Sequence, residues 1–153
     1  MGGLKQLAYR AQKRLWKLFR PRTRGVKVML FNAAGEILLV RNSYGASHLW
    51  LLPGGAVRPW EKPEVAAARE VREELGCGVR ELRAVSTHFA SAEGKRDTVF
   101  LFEAVSVGDP KPDGFELVEA QFFALDRLPE TTSPATARRF AEREGQRAVD
   151  GSW

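Results

Sequence analysis

The stretch Gly55–Cys77 reads GAVRPWEKPEVAAAREVREELGC, and its second half is patterned as a helix. Pro63 is of a type favoured in a first helical turn and Gly76 of a type favoured just past a last one, so together they bracket PEVAAAREVREEL. On that helix Glu70, Glu73 and Glu74 stand at i, i+3 and i+4 and project from one face. Carboxylates so placed repel one another by roughly a few tenths of a kcal/mol per pair. A divalent cation converts that repulsion into ligation.

Magnesium suits such a set, because it is hard, takes oxygen ligands and is commonly held by one or two carboxylates together with substrate phosphates. No Cys/His set has zinc spacing. A metal beside a diphosphate polarises the phosphoryl oxygens and helps to generate hydroxide, and a further carboxylate off the metal is available to take a proton. The turn Pro53-Gly54-Gly55 lets the backbone approach a metal or phosphate closely, since glycine has no Cβ. Taken alone, acids and arginines on a helix more often form a solvated face. The two glycines, four glutamates, arginine and two roughly apolar positions at this spacing together arise by chance on the order of once in a billion starting positions at average residue usage. Spacing therefore carries the reading.

Outward from this stretch, Trp50-Leu51-Leu52 leads into Pro53-Gly54-Gly55, where no regular element is expected to continue. Upstream, Val26–Phe31 and Glu36–Val40 read as a hairpin joined by Asn32-Ala33-Ala34-Gly35. Downstream, strands are predicted over Leu82–Phe89 and Thr98–Val107, separated by the polar turn Ser91–Asp97, with another over Ala120–Ala124. Ser133–Glu144 reads as a helix with Ser133 as N-cap and Pro134 at the first position. Strands interleaved with two body helices predict a mixed α/β layered domain.

The chain has 153 residues, 44% of them hydrophobic, enough for one core without disulfides. The single Cys77 excludes an internal disulfide, and no apolar run is long enough to span a bilayer or serve as a secretory signal, so a cytoplasmic location is expected. The net charge of +5 is uneven: residues 1–27 hold nine bases and no acid, which leaves −4 for residues 28–153. A long basic track for nucleic acid is thus unsupported across the body of the chain. Within the basic segment Leu4, Leu7, Ala8, Ala11, Leu15, Leu18 and Phe19 recur at spacings of three and four, predicting an amphipathic helix closed by Pro21.

Gly55–Cys77 resembles the Nudix box, the loop-helix-loop signature of hydrolases acting on nucleoside diphosphates linked to another moiety. Gly25–Val40, Trp50–Gly55 and Glu116–Pro129 resemble the flanking strands of the same family, so the likeness covers about 105 of the 153 residues. It implies an α/β/α sandwich with a central mixed sheet, preceded here by the amphipathic helix: residues 1–24 for that helix, 25–147 for the hydrolase domain and 148–153 as a tail. It also implies Mg2+, with Mn2+ as a substitute, held by Glu70 and Glu74 with Glu73 assisting and the Gly54 carbonyl as a backbone ligand. Gly55, Glu61, Arg69 and Gly76 would hold the box together, Glu61 and Arg69 by ion pairing. Glu70, Glu74, Glu116 and Glu119 are candidates for the general base. Arg58 and Trp60 stand where an acidic residue and a glycine are common in the family, and Lys62 replaces a usual Thr or Ser cap, so an unusual loop shape is expected.

Lys95, Arg96 and Tyr44 are candidates for contact with a substrate phosphate or base, set against a solvated turn and ordinary packing. Trp50 and Cys77 read as core residues, and His48 and His88 as loop or strand-surface residues. The basic helix permits packing on its own or a partner's domain, a homodimer included, peripheral contact with an anionic membrane, or nucleic-acid contact. The box lies wholly downstream, so removing residues 1–21 is expected to leave small-substrate hydrolysis largely unchanged. The leading expectation is metal-dependent hydrolysis of a diphosphate linkage in a small nucleotide. The alternatives are a binding or regulatory module that has lost catalysis, and an RNA 5′-end or cap hydrolase using the basic segment.

Overall fold

The computed structural model describes residues 2–19, 22–91, 94 and 96–153, the side chains of residues 2, 16, 17 and 19 apart. The elements run α1 (Gly2–Phe19), β1 (Arg22–Phe31), β2 (Ile37–Asn42), β3 (Gly54–Ala56), α2 (Pro63–Leu75), β4 (Gly78–Ala90), β5 (Arg96–Val107), β6 (Leu117–Phe123) and α3 (Pro134–Arg143). The predicted closure of α1 at Pro21 falls outside the described residues.

The six strands form one mixed sheet, five of them in the order β4-β5-β1-β2-β6 and β3 paired with β1 off that path. β1 runs parallel to β5 from Arg22↔Arg96 to Phe31↔Val105. Its other edge is shared, because β3 pairs antiparallel with residues 25–27 while β2 meets it at Phe31↔Ile37. The strand period of two sends alternate side chains to opposite faces. Val26, Val28, Leu30, Leu38 and Val40 go to one core with Ala66, Ala67, Val71 and Leu75 of α2. Met29, Phe31, Ile37 and Leu39 go to the other with Phe140 of α3. Helices thus cover both faces of the sheet, the expected sandwich.

The body helices begin and end as their residue types dictate. Ser133 Oγ accepts from the Thr136 backbone N–H at 3.2 Å and caps α3. Gly76 closes α2 in the left-handed conformation, φ 65°, and its N–H donates to the Arg72 carbonyl. Lys62 occupies the α2 N-cap without a side-chain bond, as its residue type implies.

Two expectations are corrected. The Pro53-Gly54-Gly55 turn does not end regular structure, because Gly54–Ala56 forms β3, with Val26↔Gly55 and Lys27↔Gly54 in register. A Cβ on Gly54 would stand 2.0 Å from the Val26 carbonyl oxygen, so the absent side chain admits the pairing. His88 is fully buried rather than on a strand surface. Residues 151–153 run parallel beside β4, with the Phe89 N–H donating to the Gly151 carbonyl at 2.8 Å and the Trp153 N–H to the Phe89 carbonyl at 3.1 Å. That segment covers His88, and Arg139 Nη1 donates to the Ser152 carbonyl at 2.6 Å beside it. His48 is exposed, Cys77 is buried, and Trp50 packs edge-on to Phe123 at 5.0 Å.

Candidate active site

The short β3 and the buried face of α2 meet at the floor of a cleft of about 390 Å³. Glu74 and the Gly54–Ala56 backbone line it from below, and Thr23, Arg24 and Lys27 of β1 from one side. Asn42 at the end of β2 and Tyr44 beyond it also line the cleft, with Asp97, Gln12 and Trp153.

Glu70 and Glu74 are almost fully buried on α2, whereas Glu73 is about half exposed. The one-face pattern is therefore split by depth. The Glu70 carboxyl lies where a Cβ on Gly55 would be, 2.5 Å from that position, so Gly55 is the cradle into which Glu70 fits. Glu74 accepts from the Gly54 N–H at 3.3 Å. Glu73 turns toward cations, 3.3 Å from Arg58 Nη2 and 3.1 Å from Arg69 Nη1.

Burial pushes the Glu74 carboxyl up to about 8, the Lys27 charge working against this and the charges of Glu70 and Glu116 adding to it. Glu70 is likewise raised by burial, opposed by its hydrogen bond from Arg69 and reinforced by Glu73 and Glu116. Lys27 is held in the cleft by donating from Nζ to the Leu52 carbonyl at 3.1 Å.

Arg69 organises the loop beneath. It donates to both carboxylate oxygens of Glu61, to the Ala56 carbonyl at 2.9 Å and to Glu70 at 2.7 Å. The hydrogen bond from Arg69 holds the Glu61 carboxyl at about 2, helped by the Arg58 N–H. In this loop Trp60 takes the left-handed conformation, φ 62°, with its side chain 98% exposed. The expected unusual shape is a tryptophan doing what glycine does without strain.

The other sequence candidates scatter. Glu116 is close enough to raise both buried glutamates, and it borders the hollow between α1 and Tyr44. Glu119 pairs with Arg41 across β2 and β6 and does not line the cleft. Arg96 opens β5 opposite Arg22 and faces a neighbouring hollow with Phe89 and Thr98. Lys95 lies outside the described residues. Tyr44 is in the wall, its ring 5.4 Å from that of Tyr9.

Reading by motif missed Thr23, Lys27, Asn42, Asp97 and Gln12. Strand alternation held the signal for Lys27, which interrupts Val26 and Val28 on β1 and so faces away from their core. Asp97 was hidden by assignment to a turn, yet it accepts from Thr23 Oγ1 at 2.7 Å across the β1–β5 pairing. Gln12 brings α1 to the cleft lining, although the box itself lies wholly downstream of residues 1–21. α1 lies against the cleft mouth because Lys5 and Tyr9 contact Phe115 and Tyr44.

The NUDIX domain family model matches residues 21–143. This chain belongs to the Nudix hydrolase family. A Bacillus subtilis (strain 168) protein provisionally named an 8-oxo-dGTP diphosphatase is 33% identical over 107 residues, covering 70% of each chain. An RNA pyrophosphohydrolase of Photorhabdus laumondii is 36% identical over 69 residues, and the match spans 45% of this Nudix hydrolase but only 36% of that relative's length. The solved structure of a MutT NUDIX hydrolase from Burkholderia pseudomallei superposes with a TM-score of 0.70 at 27% identity, covering 78% of this chain and 95% of that one.

Nudix hydrolases generally need a divalent metal. Among the described residues no three acidic, histidine or cysteine side chains stand close enough to hold one ion between them, Glu70 being drawn to Arg69 and Glu73 to Arg58. The donor chemistry nevertheless fits a hard cation. Burial raises both carboxylates, Glu70 adds to the rise at Glu74, Glu116 adds to both, and Gly55 has no side chain to displace the Glu70 carboxyl.

Proposed function

We propose that this Nudix hydrolase cleaves a diphosphate linkage in a small nucleotide, with Mg2+ as the metal and Mn2+ able to replace it. The observation that carries this reading is buried Glu74 in the cleft lining, with buried Glu70 one turn before it on α2 against Gly55. Burying carboxylates with raised proton affinity is costly for the fold alone, and they are supported there by a dedicated arginine and two glycines.

Glu70 and Glu74 would hold the metal, with Glu73 assisting and the Gly54 carbonyl available. When bound, the cation would neutralise phosphate charge and acidify a water. The protein's own contribution is positioning. Arg69 fixes the Glu70 carboxyl, the Gly54 N–H and Lys27 orient Glu74, and Glu116 is a carboxylate beside them free to serve as proton acceptor off the metal. Tyr44, Asn42, Thr23, Asp97 and Gln12 give the cleft an aromatic face and several hydrogen-bonding groups, which suits a nucleoside. At about 390 Å³ the cleft has room for a mononucleotide-sized ligand.

A panel of nucleoside triphosphates, oxidised nucleotides, nucleotide sugars, dinucleotides and 5′-triphosphorylated RNA, assayed with and without Mg2+, tests this reading. Expected is metal-dependent release of a nucleoside monophosphate and a phosphate-bearing product from a mononucleotide. Glu70→Gln and Glu74→Gln should each lower turnover by at least about a hundredfold with the fold intact. Rates within about threefold of wild type, or RNA preferred at least about tenfold in kcat/KM, would overturn it.

A further inference from the structure

We propose that the leucine stripe of α1 docks in the headgroup region of an anionic lipid bilayer, holding the cleft beside the membrane surface. The helix leans on the domain with one side only. Lys5 donates to the Phe115 carbonyl, the Tyr9 ring meets Tyr44, and Gly45 fits against Tyr9. On the side turned away, Leu4, Leu7 and Leu18 are 78%, 64% and 74% exposed. They share a stripe with Ala11 and Leu15 at spacings of three and four, the repeat of one helix face, and Ala11 and Leu15 form its inner edge beside the hollow with Tyr44 and Phe115. Leu30, Leu38 and Leu39 of the same chain are fully buried, so the domain had a core available and α1 was left outside it.

Charge selects the occupant. α1 contains no acid, and the exposed Arg10 and Arg14 border the stripe, Arg14 one turn before Leu18 and Arg10 one turn after Leu7. A second copy meeting stripe to stripe would bring those arginines together with no carboxylate on either helix to answer them. A nucleic acid would engage the bases and leave the leucines in water. An anionic bilayer satisfies both, taking the arginines at its phosphates and the leucines at the acyl boundary. Among the described residues no helix is long and apolar enough to cross a membrane, which leaves α1 lying in the surface plane.

The test is co-sedimentation of the full chain with phosphatidylcholine vesicles, with and without phosphatidylglycerol. Partitioning should be at least about tenfold stronger on the phosphatidylglycerol vesicles and weaken with salt. The triple variant Leu4→Gln, Leu7→Gln, Leu18→Gln and the double variant Arg10→Gln, Arg14→Gln should each lower it at least about tenfold. Glutamine retains helix propensity, and an unchanged melting temperature shows that the body remains folded. As a second reading, a polarity-sensitive dye on Leu7→Cys should shift to the blue on anionic vesicles while the same dye on Asp126→Cys does not, the native Cys77 being buried. No partitioning, or partitioning indifferent to the leucine variant, overturns the proposal. So does a dimer in light scattering that the leucine variant dissolves, or RNA binding that the arginine variant abolishes while vesicle binding is absent.

Discussion

Arg69 grips Glu61 with a two-pronged hydrogen bond, Nε to Oε2 at 2.7 Å and Nη2 to Oε1 at 2.8 Å. Planar fork meets planar carboxylate, an arrangement lysine cannot reproduce. Because the Glu61 carboxyl is held at about 2, below its ordinary 4.5, its contribution to stability is complete above about pH 4.5 and is lost as pH falls toward 2. Glu61→Gln should therefore remove part of the acid limb of a plot of Tm against pH. Parallel limbs for variant and wild type would show that the pair does not link protons to folding.

Glu74 behaves in the opposite sense. Its carboxyl is raised to about 8, so in metal-free protein its contribution to stability is complete below about pH 4.5 and is lost as pH rises toward 8. Thermal melts in chelator should decline over that window, Mg2+ should restore the loss, and Glu74→Gln should flatten the decline. A metal-free Tm that rises steadily from pH 5 to 8 would contradict the burial of this carboxylate.

Neighbouring glycines should fail differently. Gly54→Ala puts a Cβ into the Val26 carbonyl at φ 153°, a backbone clash that should cost about 3 kcal/mol in denaturant unfolding. Gly55→Ala meets only the Glu70 carboxyl, so the fold should survive while turnover drops at least about tenfold through displacement of Glu70. Equal stability losses in the two variants would refute this division.

Gln12 tests whether α1 belongs to the cleft. Gln12→Ala, and removal of residues 1–19, should raise KM several-fold for a nucleotide substrate and change kcat by less than about twofold, since Gln12 lines the cleft and supplies none of the buried carboxylates. An unchanged KM in both would detach α1 from substrate binding and return it to the role first read from the sequence.

How much was legible depended on range. The boundaries of α2 were readable because Pro63 and Gly76 act within a turn of themselves, and Ser133 capped α3 for the same reason. β1 and β2 were readable as two short β-like runs joined by the turn Asn32-Ala33-Ala34-Gly35. β3 was not, because Gly54 and Gly55 look like a break until Val26 and Lys27 are beside them. His88 read as a surface residue because its cover, residues 151–153, lies more than sixty positions away.

Sequence by itself singled out Glu70, Glu73 and Glu74 by their spacing along one helix, and through its resemblance to the Nudix box it implied the family and the sandwich. Tertiary structure decided how deeply each glutamate sits and what it pairs with. Glu70, Glu73 and Glu74 are equivalent along the chain, but β3 buries Glu70 and Glu74 while Arg58 and Arg69 hold Glu73 at the surface. It also decided that Lys27, Asp97 and Gln12 share a cleft, through pairings that join residues 22–31 to 96–105 and lay α1 across the mouth. Local geometry propagates within a turn of helix or a pair of strand residues. Burial and electric field depend on what arrives from elsewhere in the chain.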